Sequence, residues 1–386
     1  MIISMDLRPL QEGFKAHKAR GIGVYTMSLA ERKSAAPAGL EIAGFHDPRY
    51  ESADAERCGS SPLCAGRVAT MARKVIKELA TQRLFMRRAI DKIAKEQGAG
   101  LIFFPTHLDA PGGLKTPYAV TAHDMIQSAL RDKYYSSLKH RLHVAWQTET
   151  LRKAKLVITV SASAKADVIR HAGIDPAKIK VVYNGVDGCF HPAASADLSR
   201  FNLPEKFVLN VGGIDFRKNV DLLFYAFGKL LETNPDAALV MTGAIESDPQ
   251  YGRFVSALKS RGLASRAKAI GYVTKEELAA LYAKATVFFY PSLYEGFGLP
   301  VLEAMACGAP VITTNRSSLP EVAGDAAILL DPSTPDNFAK SLRQLFELKA
   351  MREDFSAKGI KRAAMFSWDR CASETFALLS GVAGKK

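Results

Sequence analysis

Residues 290–310 read YPSLYEGFGLPVLEAMACGAP, an apolar strand end that breaks into a glycine loop and resumes as a short helix. The preceding Val287-Phe288-Phe289-Tyr290 is β-branched or aromatic throughout, the pattern of a parallel strand buried on both faces, and Pro291-Ser292 stops it. Gly296 and Gly298 let the backbone approach a ligand closely. Pro300 suits the first helical position, where an N–H would go unpaired anyway, and Gly308 and Pro310 end the helix within about two turns. A helix start carries unpaired N–H groups and about half a positive charge, so this arrangement is a seat for phosphate. Glu295 in the loop and Glu303 about one turn into the helix add two carboxylates. These either accept hydrogen bonds from the hydroxyls of a sugar phosphate or merely complement the helix dipole and meet solvent. The stretch by itself leaves both readings open.

Outward from that stretch, a chain of 386 residues exceeds the usual single core, so two domains are expected, and 48% hydrophobic residues with scattered charge exclude disorder. The sequence has no apolar run of about 18 residues and opens on MIISMDLRPL without a basic segment ahead of a long apolar one, which gives the expectation of a cytoplasmic protein. Five cysteines, an odd number and never C-x-x-C, indicate neither a disulfide framework nor a zinc site. The net charge is +13, of which +11 falls in residues 1–190. Much of it lies in Arg67, Arg73, Lys74, Lys77, Arg83, Arg87, Arg88, Lys92 and Lys95, interleaved with Val75, Ile76, Leu79, Leu84, Phe85, Ile90 and Ile93. That is a helical apolar stripe with a basic face, fit for an anionic membrane surface, for an anionic acceptor, or for plain solvation over a core helix. Nucleic acid is not expected, because no recognised binding motif accompanies the charge.

Strands alternate with helices along both halves. In the first half the strands are 2–5, 41–45, 101–104, 118–121, 156–160 and 179–183, about six in all, with Asp6-Leu7-Arg8-Pro9 leading into a polar loop. Gly21 and Gly23 in ARGIGVYT form a glycine turn before a helix, and Thr106-His107 and His123-Asp124 follow strands, where open parallel sheets bind ligands. In the second half the strands are 207–211, 239–243, 269–273, 287–290, 311–313 and 328–330. Gly212 and Gly213 end the first of these, and Arg217 and Lys218 then stand over a helix start as a fork and a point charge for a diphosphate. The Gly, Pro, Ala and Ser between Asp187 and Pro204 read as the linker.

With these residues in view, the chain resembles glycosyltransferase family 4, the retaining GT-B group. EGFGLPVLEA is similar to that family's E-x7-E element, VGGIDFRKN to its diphosphate loop, ARGIGVYT to its N-terminal glycine loop, TAHDM to its active-site histidine segment, YNGVD to its interdomain segment and FSWDRCASETF to the segment that returns to the first domain. The resemblance covers nearly the whole chain and is closest to bacterial mannosyltransferases of polysaccharide assembly. It implies an α/β protein of GT-B fold, two doubly wound Rossmann-like domains facing across a cleft. Residues 1–190 would be the acceptor domain, with the helix in 367–386 packing back on it, and residues 191–366 the nucleotide-sugar domain.

The roles implied by the resemblance are specific. Arg217 and Lys218 would neutralise the diphosphate, Glu303 would hold the ribose, and backbone groups at Tyr272 and Val273 would meet the base. Glu295 would bind the transferred sugar with Gly296, Phe297, Gly298 and Leu299, beside Gly21, Gly23, Gly212 and Gly213. His123 would face the sugar from the other domain. The expected reaction moves a hexose, mannose by preference, from GDP-mannose or, as second choice, a UDP-sugar, to a glycan or lipid-linked acceptor with retention. No D-x-D stands near the diphosphate loop, so metal independence is expected and no cofactor beyond the donor. The alternatives of the same fold are a sugar-nucleotide epimerase or hydrolase, and a binding protein without turnover.

Overall fold

The computed structural model describes residues 1–15, 18, 21–63, 79–134 and 137–384, with the side chains of 79–84 and of Lys139 left aside. Arg67, Arg73, Lys74, Lys77, Val75, Ile76, Cys64 and the Ala19-Arg20 of the glycine loop lie outside the described residues. The chain forms two units, one of Met1–Gly185 with Trp368–Lys386, the other of Val186–Ser367.

The first unit carries a seven-stranded parallel sheet in the order β3-β2-β1-β4-β5-β6-β7. Its strands are β1 (Ile2–Asp6), β2 (Glu41–His46), β3 (Ser60–Pro62), β4 (Ala99–Phe104), β5 (Tyr118–Ala122), β6 (Leu156–Thr159) and β7 (Ile179–Val181). The sequence pattern leads to about six strands; β3 is the seventh. It is three residues long, polar and ends in Pro62, and such a segment survives only at an edge, where the missing N–H faces away from the ladder. A second finding concerns Asp6 to Pro9, which the sequence pattern gives only as leading into a polar loop. Asp6, Arg8 and Gln11 are buried, and Arg8 closes a bidentate pair on Asp6 at 2.8 and 2.7 Å while also donating to the Asp109 carbonyl at 3.0 Å. Their polarity is satisfied internally, which hydropathy alone does not reveal.

The helix Leu79–Glu96 packs Ile90, Ile93 and Ala94 into the core of this unit and leaves Arg88, Lys92 and Lys95 exposed. Arg87 turns inward instead, donating to the Pro111 carbonyl at 3.4 Å. The final helix, Trp368–Ala383, buries Trp368, Phe376 and Leu379, and Trp368 meets Tyr25 edge-on at 6.2 Å. Among the described residues no helix is long and apolar enough to cross a membrane.

The second unit carries six parallel strands in the order β10-β9-β8-β11-β12-β13. They are β8 (Phe207–Val211), β9 (Ala238–Thr242), β10 (Ala267–Ala269), β11 (Val287–Tyr290), β12 (Val311–Thr314) and β13 (Ile328–Leu330). β10 sits earlier than the expected 269–273, because Gly271 turns at φ +70° and takes the chain out of the ladder after Ile270 pairs with the Met241 carbonyl. Every residue of β11 is buried, as its apolar run implies; Phe289 meets Phe338 at 5.7 Å. Fully burying one such ring contributes about 1.5–3 kcal/mol. Both sheets run outward in the doubly wound order, so the strand direction of growth reverses between β1 and β4 in one unit and between β8 and β11 in the other. At such a reversal the loops diverge to opposite faces and open a crevice at the carboxyl ends of the strands.

Candidate active site

The reversal between β8 and β11 holds the residues of the opening stretch. After β8 the chain turns through Gly212, at φ +113°, and a short 3-10 turn, Phe216–Lys218, capped by the Asp215 side chain. After β11 it runs through Pro291 to Glu295. The two loops are tied together where the Leu293 N–H donates to the Arg217 carbonyl at 2.7 Å. A Cβ on Gly212 would lie 3.2 Å from the Lys218 Nζ, so glycine there makes room for the lysine to fold back over the strand end. Asn219, also at positive φ, then starts the helix Val220–Leu231.

Glu295 is the centre of this crevice. Its Oε1 accepts from Lys218 Nζ, Tyr290 Oη and Ser292 Oγ, each at 2.7 Å, and from Arg217 Nη1 at 3.2 Å. Among the described residues none donates to Oε2. Burial would raise the Glu295 carboxyl, but Lys218 and Arg217 outweigh it and hold the group down at about 2. Burial in turn lowers the Lys218 ammonium, against the pull of Glu295. The Lys218 side chain is 8% exposed and that of Arg217 28%, so one cation is fixed and the other stands at the mouth.

Ser317 and Ser318, just beyond β12, hold the loop from the far side. The Glu295 N–H donates to Ser317 Oγ at 2.8 Å, and Ser318 Oγ donates to the carbonyls of Glu295 at 2.9 Å and Phe297 at 2.7 Å. Gly298 caps the helix Leu299–Ala306 at φ +105°, where a Cβ would stand 2.9 Å from Leu319 Cδ2. Leu299 takes the first helical position and Pro300 the second, a shift of one residue from expectation that costs nothing because the second N–H is equally unpaired.

Glu303 is on that helix but in different company. Its Oε2 accepts from Tyr282 Oη at 3.2 Å, and burial pushes the carboxyl up to about 7, with Lys275 lowering it and Asp187 raising it. Lys275 and Asp187 pair at 2.9 Å. The second unit therefore brings Arg217, Lys218 and Glu295 into one cluster and bonds Glu303 to Tyr282 instead, with Tyr290 facing both carboxylates. Past β9 and β10 the Gly271 carbonyl accepts from the Gly243 N–H at 3.0 Å and Thr242 Oγ1 at 2.6 Å, and Tyr272 beyond it is 65% exposed, with Val273 half-buried.

The remaining expected residues belong to the first unit. Gly21 and Gly23 open the helix Gly21–Ala30, the former exposed and the latter buried. Tyr25 on that helix meets the His123 ring edge-on at 4.9 Å and bonds Thr121 Oγ1 at 3.0 Å. His123 Nε2 lies 2.8 Å from the Pro105 carbonyl, which makes Nε2 the protonated nitrogen of the ring. Tyr25 and His123 thus meet at the carboxyl edge of the first sheet, and Gly21 and Gly23 stand in the first turn of the helix rather than in the expected turn before it.

Residues 19–188 match the family profile described as Glycosyltransferase Family 4, and residues 196–362 the profile described as Glycosyl transferases group 1. The chain belongs to glycosyltransferase family 4. This family 4 chain is 35% identical to the O-antigen chain mannosyltransferase B of Escherichia coli over 236 residues, 59% of the chain and 61% of the relative. To the serotype-specific mannosyltransferase WbdA of the same organism it is 28% identical over 302 residues, 74% of the chain and 36% of the relative. The matches thus span between about a third and three fifths of these relatives' lengths. Sucrose-phosphate synthase from Thermosynechococcus elongatus shares the fold, with a TM-score of 0.77 at 24% identity over 99% of both chains. The two parallel-sheet Rossmann-like domains are those of the GT-B class.

Four residues that hold Glu295 and its loop escape a sequence reading: Tyr290, Ser292, Ser317 and Ser318. The first two had a signal, since they end a strand beside a glycine loop, where side chains face the crevice. Ser317 and Ser318 had a weaker one, their place after the next parallel strand. The buried Asp6–Arg8 pair at the reversal of the first sheet had none in hydropathy.

Proposed function

We propose that the chain is a retaining hexosyltransferase, mannose by preference, moving its sugar from a nucleotide diphosphate sugar to a hydroxyl of a glycan or lipid-linked acceptor. The observation that carries this is the convergence of Lys218, Arg217 and Glu295 at the sheet reversal of the second unit. Two cations with one carboxylate between them suit a ligand that is anionic at one end and rich in hydroxyls at the other. The mannosyltransferases among its relatives support mannose, and GDP-mannose as donor ahead of a UDP-sugar.

In the proposed reaction the bond from the anomeric carbon to the diphosphate oxygen breaks, and negative charge grows on the diphosphate. Lys218 and Arg217 stabilise that charge with little reorganisation because the fold already holds them in place. These cations fill the role of a divalent ion, which supports metal independence. Glu295 Oε2 accepts hydrogen bonds from sugar hydroxyls and orients the ring. The acceptor oxygen bonds to the anomeric carbon on the face the diphosphate leaves, and its proton passes to a leaving phosphate oxygen. A carboxylate engaged by two cations is a poor nucleophile, which favours this front-face route over a glycosyl-Glu295 intermediate. Glu303 would hold the ribose, Gly271 to Val273 the base, and His123 would contact the sugar from the first unit. The exposed Arg88, Lys92 and Lys95 would attract an anionic acceptor or the membrane surface that carries it.

The test is nucleotide release from a panel of GDP- and UDP-sugars with and without glycan acceptors. Acceptor-dependent release from one donor, lost in Arg217→Ala and Glu295→Ala variants that still fold, is expected. No turnover with any donor overturns the proposal, and equal release without acceptor reassigns the chain to hydrolysis or epimerisation.

A further inference from the structure

We infer that Tyr290 is a positioning residue for the donor site, its hydroxyl fixing the Lys218 ammonium against Glu295 where the diphosphate oxygens arrive. The inference rests on the donor-site reading above and adds a residue to it. Tyr290 ends β11 and is 1% exposed. Its ring stacks on Phe288 at 5.6 Å, and its carbonyl accepts from Thr313 Oγ1 at 2.7 Å, so the phenol starts from a rigid base. The Lys218 Nζ donates to the phenol oxygen and to Glu295 Oε1, and the phenol proton goes to that same Oε1 at 2.7 Å. The three groups close a triangle. Lys218 Nζ also lies over the Tyr290 ring, 4.7 Å from its centroid.

A lysine head on a four-carbon stem has the freedom to collapse onto any acceptor, and against Glu295 alone it would form a simple pair that the diphosphate has to break. The triangle gives Nζ a second anchor that remains when the diphosphate competes for it. The strand has no packing need for the hydroxyl. Phenylalanine occupies the two preceding positions, and a buried phenol oxygen without partners costs about 1–3 kcal/mol. Its partners are the two groups of the site. Arg217 is paired with Glu295 at 3.2 Å and with Asp215 at 3.3 Å.

The charged and titratable groups facing Lys218 are Glu295, Arg217, Asp215 and Tyr290, and the phenol also faces Glu303. Burial and Glu295 raise the phenol well above its ordinary range, so it keeps its proton. Removing it leaves Lys218 equally buried with one acceptor fewer, and the ammonium then gives up its proton at lower pH.

The experiment compares wild type, Tyr290→Phe and Ser292→Ala in the full chain, by donor kinetics across pH and by calorimetry with GDP and UDP. Ser292→Ala removes a donor to Glu295 Oε1 without touching Lys218. In Tyr290→Phe, kcat is expected to fall at least tenfold with donor KM changed less, and the alkaline limb of both activity and nucleotide affinity to move to lower pH. In Ser292→Ala that limb stays in place. A folded Tyr290→Phe with kcat within twofold and an unmoved limb overturns the inference while leaving the donor site standing. Wild type that binds neither GDP nor UDP overturns the donor-site reading and this inference with it. If Tyr290→Phe does not fold, 4-fluorophenylalanine at 290 fills the space of the hydroxyl with an atom that accepts hydrogen bonds only weakly and donates none. The same downward shift is then expected, and its absence is equally fatal.

Discussion

Glu295 and Glu303 have identical side chains with seven residues between them, yet their surroundings drive them in opposite directions. Glu295, despite burial, is held at about 2 by Lys218 and Arg217, below the ordinary 4.5. Its contribution to stability is therefore present above about pH 4.5 and is lost as pH falls through about 2. Activity should show no acid limb from this group at pH 4 to 6, and Glu295→Gln should leave the shape of the profile there unchanged while lowering kcat. Glu303 is raised by burial to about 7, so the protonated form suits the fold. That contribution is complete below about pH 4.5 and is lost as pH rises through about 7. A nucleotide whose ribose donates hydroxyls to Glu303 needs the carboxylate, so its affinity is expected to increase as pH rises from 6 to 8. Calorimetry should find that increase abolished in Glu303→Gln.

At the scale of the element, the decisive unit is strand, glycine loop and helix, used at β8 and again at β11. The geometry depends on glycines that spacing suggests but only coordinates justify. Gly298→Ala forces a left-handed backbone on a residue whose Cβ then stands 2.9 Å from Leu319, and it is expected to lower stability by on the order of 1–3 kcal/mol in urea unfolding. Gly212→Ala imposes the same left-handed backbone, at φ +113°, and in addition presses on Lys218 rather than on the core. Its expected result is a stability loss of the same order as that of Gly298→Ala together with a loss of nucleotide affinity of about tenfold in the folded protein, and unchanged affinity would make Gly212 a folding residue only. The elements that sequence reading missed share a reason. β3 is too short and polar for periodicity to register, and the end of β10 is set by a turn at Gly271 rather than by the apolar Ile270 and Val273 on either side.

For the whole molecule, the return of the final helix to the first unit ties distant parts of the chain together. Phe376 is fully buried there, and Arg32 reaches Asp369 at 2.6 Å. Phe376→Ala is expected to cost about 3–5 kcal/mol, visible as faster hydrogen exchange in 1–185 with residues 186–367 protected as before. The sequence by itself determined the α/β class, the two repeats of strand and helix, the family and the stretch holding Glu295 and Glu303. It could do so because apolar runs, glycine spacing and helix starts are local properties. Only the tertiary structure decided that Glu295 gathers Lys218, Arg217, Tyr290 and Ser292 on one oxygen, that Glu303 bonds to Tyr282 instead, and that Asp6 and Arg8 are interior. Each of those depends on which strand lies beside which, and the order of strands in a parallel sheet brings together residues up to about a hundred positions apart through contacts that no local pattern encodes.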